Sequence, residues 1–300
     1  MFNLIINGVK TTDNLNRYTE EDSMIHQTWE WTTSDHAQMV AQKWMPEKRI
    51  KASIILIHGF GEHSSRYAHM AEFYCNHQIQ VLTLDLRGHG KSAGARGYIP
   101  TQTTFWDDID EFRENIKEAL DDKPVFLYGH SMGGMIVLSY VLKRGSTFNG
   151  IITTSPQIDT ATPISESTKK LANFMNKIMP RFMIDGGLDR NFLSRDESVV
   201  DAYNADPLVF GKVSTRLGVF MADNGAYIKA HAADFKEPLL MMVGSNEKIV
   251  SKTEVDAFMK SVPTGTYKVW DGLYHELHNE PEKEQVYKYT LDWIKDHMKS

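Results

Sequence analysis

The chain has 300 residues, an apolar fraction of 41%, a formal net charge of -6 and a single cysteine, Cys75. That length admits one large α/β domain or two small ones, and the apolar fraction is enough for a sizeable core. An acidic balance with scattered basic residues argues against nucleic-acid binding, and one cysteine excludes an internal disulfide and fits a reducing compartment. Residues 1–7 show neither a basic region nor a long apolar stretch, so no signal peptide is expected. No apolar run approaches the length needed to cross a bilayer, and the expected location is the cytoplasm.

In chain order, residues 1–25 are polar and mixed and read as an N-terminal arm. Residues 27–44 hold two strand-like pieces around Thr32-Thr33-Ser34-Asp35-His36, as in a hairpin. Ser53-Ile54-Ile55-Leu56-Ile57 is a continuous apolar run ending at His58-Gly59, the pattern of a buried parallel strand. A helix is expected near residues 66–77, then a second buried strand, Val81-Leu82-Thr83-Leu84, ending at Asp85. Ile109, Phe112, Ile116 and Leu120 form one stripe of an amphipathic helix over residues 105–120. The strand Val125-Phe126-Leu127-Tyr128 leads into Gly129-His130-Ser131-Met132-Gly133-Gly134 and a further helix, and Ile151-Ile152-Thr153-Thr154 is the next strand. The alternation stops after Ser155-Pro156. Residues 157–230 hold helix-like segments and no convincing strand. The repeat resumes with a strand at residues 239–243, a helix near residues 252–259, a strand at residues 267–270 and a closing helix near residues 282–298. This order predicts an α/β fold, a mostly parallel sheet flanked by helices. Its core spans residues 26–156 and 231–300. Residues 157–230 form a helical cap over the carboxyl ends of the strands, where such sheets bind ligands.

Gly129-His130-Ser131-Met132-Gly133 is Gly-x-Ser-x-Gly between a strand and a helix, the nucleophile elbow of α/β-hydrolases. The bland alternative is a helix start with a serine near its cap. A serine hydroxyl needs a base to take its proton. The order in this fold is serine, acid, histidine. His275 follows the last strand and is the expected base, with His278 as competitor. Glu247 follows the strand at residues 239–243 and is the expected acid, which would fix the imidazole tautomer; Asp271 is the alternative. The backbone N–H groups of Phe60 and Met132 are the expected oxyanion donors. Other signals fail on spacing. Gly88-His89-Gly90-Lys91-Ser92 lacks the leading glycine of a phosphate loop, since position 85 is aspartate. Gly59-Phe60-Gly61 lacks the third glycine of a dinucleotide fingerprint, and His275-Glu276-Leu277-His278 has the wrong spacing for a zinc helix. No metal and no cofactor is expected.

His58-Gly59-Phe60-Gly61-Glu62-His63-Ser64-Ser65-Arg66-Tyr67, the elbow, Tyr274-His275-Glu276-Leu277-His278 and Val200-Asp201-Ala202-Tyr203-Asn204-Ala205-Asp206-Pro207-Leu208 together resemble monoacylglycerol lipases and their lysophospholipase-like relatives. The resemblance runs from about residue 26 to the C-terminus and is loose over residues 157–196. It implies a serine hydrolase that cleaves a fatty acyl ester from a small polyol through an acyl-enzyme. It also implies that Glu62, Arg66, Tyr203 and His278 line the polar end near the leaving alcohol. A helix-start ion pair that only shapes the loop is the other reading of Glu62 and Arg66. The chain departs from the family at Glu247, where aspartate is usual. Leu171, Phe174, Met175, Ile178 and Met179 recur at helical spacing near Lys169, Lys170 and Lys177. This stripe reads as the wall of an acyl pocket or a contact with a membrane or micelle; the alternative is packing within the cap. The expected partner is a small lipid ester, with lysophospholipids, other carboxylesters or thioesters as alternative substrates. A non-catalytic ligand-binding member of the fold is the third reading.

Overall fold

A computed structural model describes residues 24–120 and 122–298, so the expected arm lies outside the described residues except for its last two positions. The chain opens with β1 (Met24–Thr32) and β2 (Gln38–Pro46), an antiparallel hairpin. It continues through β3 (Ala52–Ile57), α1 (Ala68–Asn76), β4 (Ile79–Leu84), α2 (Thr104–Asn115), α3 (Lys117–Leu120), β5 (Val125–His130), α4 (Met132–Arg144) and β6 (Gly150–Thr154). The insertion contains α5 (Glu166–Ile178), β7 (Met183–Asp185), α6 (Glu197–Ala205), β8 (Lys212–Ser214) and α7 (Thr215–Ala230). The chain closes with β9 (Leu239–Gly244), α8 (Lys252–Ser261), β10 (Gly265–Trp270) and α9 (Lys283–His297).

The main sheet has the order β1-β2-β4-β3-β5-β6-β9-β10. From β4 to β10 every neighbouring pair is parallel, and the β2–β4 pair is antiparallel. All side chains of β3, β4 and β9 are buried, as expected of strands covered by helices on both faces. Strand alternation sends Ile55, Leu127 and Met241 to one face, where they pack with residues of α2, α4, α7 and α8. Ile54, Phe126 and Leu240 point to the other, against α1 and α9.

Two expectations change. The predicted helix over residues 105–120 is interrupted at Ile116, which leaves helical geometry (φ -101°, ψ 7°) but stays buried. The insertion contains a two-stranded antiparallel sheet, β7 with β8. Three residues per strand are too few to show an alternating pattern, so periodicity gives no sign of it. α7 is the foot of the insertion: Leu217, Phe220 and Ile228 share the apolar cluster of the core.

Candidate active site

Ser131 sits between β5 and α4 with φ +51° and ψ -117°, a conformation that a side-chain-bearing residue adopts only under constraint. The constraint is visible. Its N–H donates to the Thr154 carbonyl (3.0 Å), and its carbonyl accepts from the N–H groups of Met135 and Gln157 (3.0 Å each). Two glycines make the turn sterically possible. A Cβ on Gly133 would land on the Ile57 and His58 carbonyls, and one on Gly129 would run into the backbone of Gly133.

His275 lies in the loop after β10, and its Nε2 is 2.9 Å from Ser131 Oγ. Its Nδ1 is 2.8 Å from Glu247 Oε2, in the loop after β9. The other oxygen of Glu247 accepts from the N–H groups of Ile249 (2.7 Å) and Val250 (3.2 Å), which fixes the longer glutamate side chain in one rotamer. All three side chains are buried. Burial disfavours the His275 imidazolium, but the Glu247 carboxylate and its hydrogen bond prevail and raise this histidine above its ordinary value. Burial also pushes the Glu247 carboxyl up, yet His275 and the two backbone N–H groups bring it below the usual range. Asp271 is exposed and accepts from Ser245 Oγ, so it takes no part in this line. The base loop is also held from beneath. Ser155, another residue with positive φ (+43°), donates its hydroxyl to the His275 carbonyl at 2.8 Å.

Met132 is the first residue of α4, so its N–H has no acceptor within the helix. Phe60 lies in the turn after β3 and lines the same cavity as Ser131. That cavity has a volume of about 540 Å³ and is walled by both core and insertion. Gly59, Phe60, Ser131 and His275 line it together, and Ile164, Leu188, Phe192, Leu193, Val213 and Met221 give it an apolar lining.

Of the residues expected at the polar end, Glu62 and Tyr203 line the cavity, and Arg66 and His278 do not. Glu62 Oε1 accepts from the Gly59 N–H (2.6 Å) and the Tyr67 hydroxyl (2.7 Å), and Oε2 pairs with Arg66. Arg66 also bonds both oxygens of Glu276 (2.7 Å each) and stacks over Tyr203 at 4.7 Å. His278 is fully buried, stacked on Tyr67 at 4.6 Å, and neither ring nitrogen has a partner among the described residues. Burial, reinforced by His130, holds it well below its ordinary value, and the Ser131 hydroxyl is bonded to His275 instead. His130 likewise falls to about 4 through burial and the neighbouring His275. Glu276 was not singled out from the sequence. Its partner Arg66 is 210 positions away, and only its place next to His275 hinted at a role.

The apolar stripe of α5 behaves differently. Leu171, Phe174 and Ile178 are 60%, 58% and 57% exposed, and no residue of the stripe lines the cavity. The expectation that this segment borders the acyl pocket is therefore corrected. The insertion's share of the lining comes instead from positions within residues 157–164 and 186–193, with Tyr203, Val213 and Met221. Among the described residues, no group of three or more His, Cys, Asp or Glu could hold a metal ion, and no helix is long and apolar enough to cross a membrane.

A family model described as serine aminopeptidase, S33 matches residues 48–282. An uncharacterized abhydrolase domain-containing protein of Dictyostelium discoideum is 35% identical over 272 residues, which are 89% of this chain and 29% of that larger protein. The monoacylglycerol lipase of Mycolicibacterium smegmatis is 30% identical over 280 residues, covering 89% of this chain and 99% of the lipase. The crystal structure of the Paleococcus ferrophilus monoacylglycerol lipase superposes with a TM-score of 0.76 at 27% identity, covering 92% of this chain and 99% of that one. With a mostly parallel sheet, a serine elbow and these relatives, the chain belongs to the monoacylglycerol lipase-like family of serine α/β-hydrolases.

Proposed function

We propose that the protein hydrolyses the carboxylic ester of monoacylglycerols or similar single-chain lipids through an acyl-enzyme. Ser131 Oγ attacks the ester carbonyl as His275 Nε2 takes its proton, and the carbonyl π electrons move onto oxygen. The N–H groups of Phe60 and Met132 receive that oxyanion, aided by the positive end of α4. As the tetrahedral species collapses, the ester C–O bond breaks and His275 returns the proton to the departing alcohol. Water, deprotonated by the same imidazole, then attacks the acyl-serine and releases the fatty acid. Glu247 holds the tautomer and stabilises the imidazolium.

One observation carries this reading: the unbroken line from Glu247 Oε2 through His275 to Ser131 Oγ, with both links under 3 Å, beside an apolar cavity. The names of the lipase relatives support the lipid ester over a peptide substrate. We further propose that residues 157–230 act as a lid standing on α7. The exposed face of α5 would rest on the micelle or membrane that carries the substrate, with the protein acting in the cytoplasm. The test is a hydrolysis panel of monoacylglycerols, lysophospholipids and short synthetic esters, with Ser131→Ala as the blank. Monoacylglycerols should lead. Preference for lysophospholipids would move the protein to the phospholipid branch.

A further inference from the structure

The two loops that carry the proposed oxyanion donor and the proposed base come from opposite ends of the chain. Glu62 follows the Gly59-Phe60-Gly61 turn, and Glu276 follows His275 directly. One guanidinium, Arg66, joins them: it bonds to Glu62 Oε2 at 2.5 Å and to Glu276 Oε1 and Oε2 at 2.7 Å. Both carboxylates are buried. Every carboxylate oxygen in the bridge is already engaged. Glu62 Oε1 holds the Gly59 N–H and the Tyr67 hydroxyl, and Glu276 Oε2 also accepts from Asn279 Nδ2 at 2.6 Å. Both residues border the cavity, yet each of their oxygens is bonded within the protein, Glu62 Oε2 and Glu276 Oε1 to Arg66 alone. Buried ion pairs are a weak source of stability, so a bridge at this place calls for another reason.

We propose that the Glu62–Arg66–Glu276 bridge is a positioning element that holds the oxyanion turn in register with the base loop. The proposal rests on the acyl-transfer reading of Ser131, His275 and Phe60. Glu62 grips the turn itself, through the N–H next to Phe60, so a shift of its carboxylate moves an oxyanion donor. Glu276 shares a peptide bond with the base. Two carboxylates on one guanidinium also leave a net negative charge beside His275. The imidazole is faced by Glu247 from the loop after β9, His130 from β5, Glu62 from the segment after β3, and Glu276 from its own loop. Burial opposes the imidazolium, while Glu247, Glu276 and Glu62 favour it in that order.

The test uses Glu62→Gln and Glu276→Gln, singly and together. Each single variant leaves Arg66 one carboxylate partner, whereas Arg66→Met would strand two buried charges. A thermal melt first establishes that each variant is folded. With a saturable ester, each single variant should lose about 10- to 100-fold in kcat, the scale of a misplaced reacting group. KM should stay within about twofold, because each carboxylate oxygen is already bonded within the protein and glutamine keeps the shape of the wall. The acid limb of the kcat/KM profile should move to lower pH, since a lost negative charge makes the imidazolium harder to form. The double variant should lose less than the product of the singles, because both act through Arg66. A raised KM at unchanged kcat would make the bridge an alcohol-binding site and overturn the proposal. A lowered melting temperature with wild-type kcat, KM and acid limb would make it structural only and also overturn it. Ser131→Ala and Ser131 labelling by a fluorophosphonate are run in parallel. If they fail, the acyl-transfer reading falls and the bridge with it; if they succeed while the bridge variants stay at wild type, the bridge alone falls.

Discussion

The elbow and α5 are built on opposite rules. Around Ser131 every position is over-determined: a strained serine is pinned by three backbone hydrogen bonds, and two glycines lie against backbone on which a methyl group would collide. In α5 no side chain is fully buried, and its largest apolar groups face outward. The elbow is dictated by its own covalent and steric geometry. The outer face of α5 is left to solvent by the rest of the fold. In the proposed function, chemistry resides in the first kind of region and substrate delivery in the second. Substitutions should therefore do opposite things in the two places.

The sharpest break would come at Ser131. Ser131→Ala should lower kcat by about 10⁴-fold or more with an unchanged melting temperature, measured on a soluble ester and by differential scanning calorimetry. Glu247→Gln should follow, at roughly three to four orders of magnitude in kcat, because the imidazole loses the acceptor that fixes its tautomer. Its sign in pH is set by the same contact. The carboxylate raises His275, so wild-type kcat/KM should fall on the acid side with a midpoint above that of an ordinary histidine. Without the carboxylate the midpoint should move to lower pH, and a titration of kcat/KM reads it directly. At Gly133, alanine should cost about 1–3 kcal/mol of stability through overpacking against the β3 carbonyls, seen as a lower urea midpoint. The smallest effect is expected at the cap. Leu171→Ser or Phe174→Ser should change stability by no more than about 0.5 kcal/mol. Either should weaken turnover of micellar monoacylglycerol about fivefold, for about 1 kcal/mol of lost apolar contact, with soluble short-chain esters unaffected. Equal losses on both substrates would erase the contrast between the two regions.

The same contrast explains what could be read from the residues alone. The buried strands announce themselves as continuous apolar runs, and Ser131, Glu247 and His275 stand at strand ends that those runs locate. Because backbone geometry demands particular residue types there, the letters carry the geometry. α5 was visible as an amphipathic helix, but spacing cannot say whether an apolar stripe meets a pocket, a neighbour or solvent; here it meets solvent. β7 and β8 were missed because three residues carry no period. Arg66 and Glu276 stand 210 positions apart, and nothing local to either names the other. Glu62 and Arg66 could be read as an alcohol site or as an ion pair. The observed bonds favour the ion pair, with a third member that only the folded chain brings in.

We propose above all that Ser131 is the nucleophile and His275 its base. The most direct test is peptide mapping of the protein after one equivalent of a fluorophosphonate, with residual monoacylglycerol hydrolysis measured on the same sample. A single adduct on Ser131, activity lost in proportion to labelling, and no adduct in His275→Ala are expected. An adduct on another residue, or full hydrolysis by the fully labelled protein, would contradict the assignment.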